Sequence, residues 1–262
     1  MSTPVSPPPT TRAGMPELPA YVANGLIGLR VLDIPLLSGM AMVSGYAGLH
    51  PIVQVEAGAS APYPLAGDIS IDRVWLTGAT QEARFVEQRY DFERAELTTR
   101  FTFTANGVTA SATVLTFACR EDPTLVLQEV DVEVDASCDL VLRALVDPSQ
   151  VSGRMGRRSV GAPGSPRQVA EGSMCWESLG GVSRVGIAYW TEVVGGEIEK
   201  KPVDMGIERP LATDYEIRAV PGAVYRLHQI ASVVASAVHP DPDREATRLV
   251  SRASMTGTAR IS

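Results

Sequence analysis

The chain has 262 residues, enough to bury a large core, and its formal net charge is −7. That acidity speaks against a nucleic-acid footprint, and three scattered cysteines, Cys119, Cys138 and Cys175, exclude a disulfide framework or a metal knuckle. No segment carries the roughly 18 consecutive apolar residues that a membrane-spanning helix needs.

Taken in order, the first segment MSTPVSPPPTTRAG has no apolar signal region and is expected to be a disordered tail over residues 1–16. Tyr21 to Leu32 reads as one apolar strand punctuated by glycine. Pro35 interrupts it before the second Gly-broken stretch LLSGMAMVSGYAG. Ala57 to Gly67, with Pro62 and Pro64, reads as a loop, and Asp68 to Leu76 as a further strand.

The clearest signal lies between Arg89 and Asp135. Leu97, Phe101 and Phe103 alternate with Arg100, Thr102 and Thr104, the period of two that marks a half-buried strand. Asn106-Gly107 supplies the positive φ of a tight hairpin, and the chain returns through Val108 to Phe117. Val130, Val132 and Val134 alternate with acidic residues in a third strand. Leu140 to Val146, Arg184 to Val194, Tyr215 to Val220 and Val224 to Val238 continue the series. Between them, Pro148 to Gly172 reads as an insertion loop carrying Arg154, Arg157, Arg158 and Arg167. A basic loop could grip a phosphate, but a solvated surface is the preferred reading.

Only the last residues look helical. Asp241 suits the N-cap and Pro242 the first helical position, and Ala246, Leu249, Val250 and Ala253 form an apolar stripe. Many strands with short turns and one short terminal helix define an all-β protein, a large antiparallel β-sandwich over residues 17–239, with the helix opening the 240–262 segment.

No motif supplies a reaction: there is no phosphate-binding glycine loop and no nucleophile elbow. His50, His228 and His239 are too far apart to read as metal ligands. Asp68 with Asp72, and Glu93 with Glu96, are acidic pairs that read as solvent-facing strand residues rather than a catalytic couple. Trp75 and Trp190 are assigned to the core, leaving Tyr46 as the open aromatic. Asn24 and Arg30, polar positions in a Gly-rich apolar strand, join Tyr46 as candidate ligand-binding residues. The plainer reading is that Asn24 closes a turn and Arg30 pairs with a buried carboxylate.

Three segments in order, Ala23 to Val31 (ANGLIGLRV), Ala61 to Asp72 (APYPLAGDISID) and Tyr90 to Phe103 (YDFERAELTTRFTF), resemble the N-terminal domain of glycoside hydrolase family 65. The family's Asn-Gly-x-x-Gly-x-Arg pattern appears as Asn24, Gly25, Gly28 and Arg30. The resemblance implies a β-super-sandwich of galactose-mutarotase-like type. In that family a helical linker and an (α/α)6 barrel follow, and the barrel carries the general-acid Glu. Members are phosphorylases of maltose, trehalose or kojibiose, or a glucosidase of collagen-linked glucosylgalactose. The glycine of the family's MR-x-G pattern is Ala95 or Glu96 here, and the Arg-rich loop has no family counterpart.

No catalytic residue, cofactor or metal ligand is therefore expected in this chain, since the barrel would lie outside it. The expected partners are that barrel, a carbohydrate and a second copy of the chain, in the cytoplasm. Without the barrel, apolar surface is expected to be exposed where it would dock, including the Ala246/Leu249/Val250 stripe. The rival expectation is a free-standing carbohydrate-binding or dimerisation module.

Overall fold

The computed structural model describes residues 10–12, 19–37, 39–161, 170–204 and 210–256. In chain order the strands are β1 (Thr10–Arg12), β2 (Ala20–Ala23), β3 (Ile27–Val31), β4 (Gly39–Leu49), β5 (Glu56–Ala61) and β6 (Tyr63–Ile71). Next come β7 (Val74–Trp75), β8 (Ala83–Asp91), β9 (Glu96–Ala105), β10 (Val108–Ala118), β11 (Leu125–Val134) and β12 (Cys138–Asp147). The last are β13 (Gly153–Val160), β14 (Gly172–Ser178), β15 (Arg184–Val194), β16 (Ile198–Asp204), β17 (Leu211–Ala219) and β18 (Val224–Ala235), followed by the helix α1 (Pro242–Thr256).

The strands make three sheets. A nine-stranded sheet has the order β1-β8-β9-β10-β11-β18-β15-β14-β13. A five-stranded sheet, β16-β17-β12-β6-β7, and a four-stranded sheet, β2-β3-β4-β5, lie across one face of it. Every recorded pairing is antiparallel, as the short connections require. The alternation seen in sequence sets the packing. Leu97, Phe101 and Phe103 of β9 are buried between the layers, whereas Arg100 is exposed. Asn106 and Gly107 have φ of 52° and 80°, the left-handed pair of a tight hairpin.

The other face of the nine-stranded sheet is covered in part by α1. Ala246, Leu249, Val250 and Ala253 are buried against Leu125, Leu127, Ala188, Ile230 and Val234. The expectation that this stripe stays exposed is therefore overturned: the helix spends its apolar face on its own sandwich. Its entry is close-fitting, since a Cβ on Gly186 would lie 2.0 Å from the Pro242 carbonyl carbon. The Asp241 carbonyl accepts from Glu245 N at 3.1 Å, the first helical bond.

Several boundaries differ from the sequence reading. Tyr21 to Leu32 is a hairpin, β2 and β3, folded at Asn24-Gly25, where Gly25 has φ +94°. The expected loop Ala57 to Gly67 is β5 and the start of β6; Pro64 is tolerated because the β6–β12 register shifts there, between Leu145 and Asp147. The expected insertion loop contains β13, an edge strand whose exposed face has no apolar alternation to reveal it. Within the expected disordered tail, Thr10–Arg12 pairs with β8. Arg167 lies outside the described residues.

Candidate functional site

Asn24, Arg30 and Tyr46 do not converge on one surface. Asn24 holds the β2–β3 turn: its Oδ1 accepts from Leu26 N at 3.0 Å and Ile27 N at 2.9 Å. Its Nδ2 donates to the carbonyls of Cys119 at 2.7 Å and Pro123 at 2.9 Å, tying the turn to the β10–β11 connection. Arg30 lies on the outer face of β3, between the inward Leu29 and Val31, and its Nε is buried without a partner rather than bound to a carboxylate. Tyr46, expected to be the open aromatic, is 2% exposed, and burial pushes its hydroxyl well above the usual phenol range. The bulge of β4 at Gly45 (φ +77°) turns the ring into the core.

The tryptophans assigned to the core are not the one that is fully buried. Trp176 is buried, while Trp75 and Trp190 are half-buried. Trp75 is stacked on Arg143, whose guanidinium carbon lies 3.9 Å from the ring centre. Arg143 also forms a bidentate pair with Asp214, at 2.6 and 2.7 Å. Asp68 sits opposite on β6, its carboxylate accepting from Ile69 N, Thr77 N and Thr77 Oγ1 at 2.9, 3.2 and 2.5 Å. Burial raises the Asp68 pKa against those bonds and the nearby Arg143 charge. Every partner of this cluster is accounted for within the fold, which marks it as a staple between β6, β12 and β17.

Asp68, expected to face solvent, is thus buried by the close packing of β6, whereas Asp72, Glu93, Glu96 and the histidines serve turns and surfaces. Asp72 (φ 48°) accepts from Asp139 N at 2.9 Å, and Glu93 donates its N–H to Asp91 Oδ1 at 3.0 Å. His228 Nδ1 lies 3.2 Å from Glu129 Oε2, and His239 Nδ1 accepts from Asp241 N at 3.1 Å. Among the described residues no group of three His, Cys, Asp or Glu is placed to hold a metal ion. The arginines of the β13 region are engaged as well. Arg154 bonds Glu177 at 2.7 Å, and Arg157 reaches Asp243 at 2.6 Å and Asp241 at 3.3 Å, clamping the start of α1. All three cysteines are free and buried, as small hydrophobes.

A cleft of about 210 Å³ lies between the β4–β5 hairpin and the β12–β13 connection. His50, Ser60, Gln150 and Ser152 supply polar side chains, and Ala59 and Leu179 apolar walls. His50 also builds the rim: its Nδ1 accepts from Ile52 N at 3.2 Å and Val53 N at 3.4 Å. That turn presents Ile52, Val53 and Val55 to solvent. Among the described residues no Asp or Glu lines the cleft. Sequence reasoning missed it because its walls come from three separate segments, 48–60, 150–152 and Leu179, rich in small residues.

Two antiparallel layers, the larger nine strands wide, define the class: a β-super-sandwich domain. The profile described as "Glycosyl hydrolase family 65, N-terminal domain" matches residues 53–261, and the chain belongs to that family. Among solved structures, "Putative kojibiose phosphorylase from human microbiome" superposes with a TM-score of 0.69 at 12% identity, over 92% of this chain and 34% of that one. The heparan sulfate lyase HepC from Pedobacter heparinus matches with a TM-score of 0.38 at 10% identity, over 79% of this chain and 33% of its own. No curated protein matches the sequence. The chain thus spans about a third of the length of the solved structures it matches. Among the described residues no helix is long and apolar enough to cross a membrane.

Proposed function

We propose that this chain is the non-catalytic N-terminal sandwich of a carbohydrate-active enzyme, working beside a catalytic barrel that acts on glucose-containing disaccharides. The observation that carries the reading is the family match over residues 53–261, set beside a superposition that fills 34% of a protein named as a kojibiose phosphorylase. In this reading the domain is cytoplasmic, and pairing of two copies through it is a further property. The test is to incubate the purified chain with maltose, trehalose and kojibiose, with and without inorganic phosphate, and measure released glucose and glucose 1-phosphate. No release is expected; turnover by the chain alone would overturn the proposal.

A second reading, a carbohydrate-binding module, is favoured by the size of the cleft. At about 210 Å³ it is smaller than a typical drug-sized site and suits a single sugar ring facing His50, Ser60, Gln150 and Ser152. Titration calorimetry with the same sugars at millimolar concentration decides it. Saturable heat that disappears in a Gln150→Ala variant supports binding there, and no heat removes this reading while leaving the first intact.

A further inference from the structure

The inner face of the nine-stranded sheet carries a row of polar side chains in register. Thr116 on β10 lies opposite Gln128 on β11, Gln128 opposite Gln229 on β18, and Gln229 opposite Thr191 on β15. All four are buried. Their companions on the same face of β11, Val126, Val130 and Val132, are apolar, so the polarity at Gln128 breaks the local pattern.

Half of the row is satisfied by the covering layer. Gln229 Nε2 donates to the carbonyls of Pro64 at 2.9 Å and Leu145 at 3.0 Å, and the Thr191 hydroxyl meets that of Tyr215 at 2.8 Å. The other half has no protein partner: Thr116 Oγ1, Gln128 Nε2 and Gln128 Oε1 are all buried and unbonded. Directly opposed side chains in an antiparallel pair start from Cβ atoms about 5 Å apart, so these three atoms share one small volume. That volume lies where the cover changes hands. β10 packs against β2 and β3 of the four-stranded sheet, and β11 packs against β6 of the five-stranded sheet.

We propose that Thr116 and Gln128 together hold a buried water molecule at this seam. A hydroxyl and a primary amide offer the donors and acceptors an internal water needs, typically about three bonds from two to four polar groups. An amide left unbonded in an apolar layer is strongly disfavoured, which is why buried polar side chains are almost always paired with protein or ordered water. The water completes the polar row and fastens the large sheet beneath the junction of its two covers.

Two measurements test it. In a high-resolution crystal structure of the chain, ordered density is expected within hydrogen-bonding distance of both Thr116 Oγ1 and the Gln128 amide. In thermal unfolding, Thr116→Val and Gln128→Met each remove one holder of the water and strand the other, so each lowers the midpoint by roughly 2–4 °C. The double variant removes both and regains much of that loss. If the hydroxyl is simply unsatisfied, Thr116→Val melts at or above the parent. That result, or empty space between the two side chains in the crystal, overturns the proposal, and the crystal decides should a variant fail to fold.

Discussion

The Tyr215 hydroxyl lies 2.8 Å from the Thr191 hydroxyl, in the buried space between the five-stranded and nine-stranded sheets. A reciprocal contact sits beside it, Tyr189 to Thr213 at 2.9 Å, so β15 and β17 each contribute one tyrosine and one threonine. Two buried hydroxyl pairs thereby set the spacing and register of strands that share no ladder. Tyr215→Phe strands the Thr191 hydroxyl and is expected to cost about 1–2 kcal/mol. Adding Thr191→Val removes the stranded group, so the double variant unfolds at less denaturant than the parent but by less than the two single losses summed. Strict additivity in chemical denaturation would show that the hydroxyls do not act as a pair.

Asn24 makes four hydrogen bonds, two that shape its own turn and two to a segment nearly a hundred residues away. Asn24→Ala is expected to destabilise the chain by roughly 2–3 kcal/mol. Asn24→Asp keeps the acceptor for Leu26 N and Ile27 N but sets a carboxylate oxygen against the Cys119 and Pro123 carbonyls, and is expected to destabilise at least as much. Thermal melts followed by circular dichroism check this. An alanine variant as stable as the parent would contradict a structural role for Asn24.

Gly186 lies under the first turn of α1. An added Cβ would stand 2.0 Å from the Pro242 carbonyl carbon and 2.1 Å from Asp243 N, both backbone atoms that cannot swing aside. Gly186→Ala is expected to lift the helix, exposing Val250 and breaking the Arg157–Asp243 contact. Hydrogen exchange should then accelerate across Pro242–Thr256 while peptides from β9 and β10 keep their protection. Unchanged exchange in the helix would show that the contact has slack.

The Asp68 pKa is raised above the ordinary carboxylate value, chiefly by burial. The folded state therefore holds that proton more tightly than the unfolded one. Asp68 contributes stability below the unfolded carboxylate pKa, and this contribution is lost as pH rises through the folded value. Asp68→Asn, which keeps an acceptor for Ile69 N and Thr77 N, is expected to flatten the fall in stability over that acidic window. Urea midpoints from about pH 4 to 7 for both proteins compare the slopes; identical slopes would mean Asp68 titrates as it does in the unfolded chain.

Legibility in the sequence followed burial. β9, β10, β12 and β15 have one face in the core and one in water or under α1, so their side chains alternate and the strands can be read locally. β5 is made of Glu, Ala, Gly and Ser, and β13 is an exposed edge rich in Arg and Gly, so neither carries that contrast. The cleft was hidden for a related reason. Its polar side chains come from the β4–β5 hairpin and the Gln150–Ser152 segment, and only folding places them together.

By itself the sequence determined the all-β class, the Asn106-Gly107 hairpin, the terminal helix and, through three short motifs, the family. These rest on the spacing of neighbouring side chains, which the backbone period turns directly into faces. Only the tertiary structure decided what each face meets. α1 covers its own sheet, Tyr46 turns inward at a bulge, and Arg157 reaches a carboxylate 86 residues along the chain. Such contacts join residues whose separation in sequence carries no trace of their approach in space, so burial and hydrogen bonding across layers settle them.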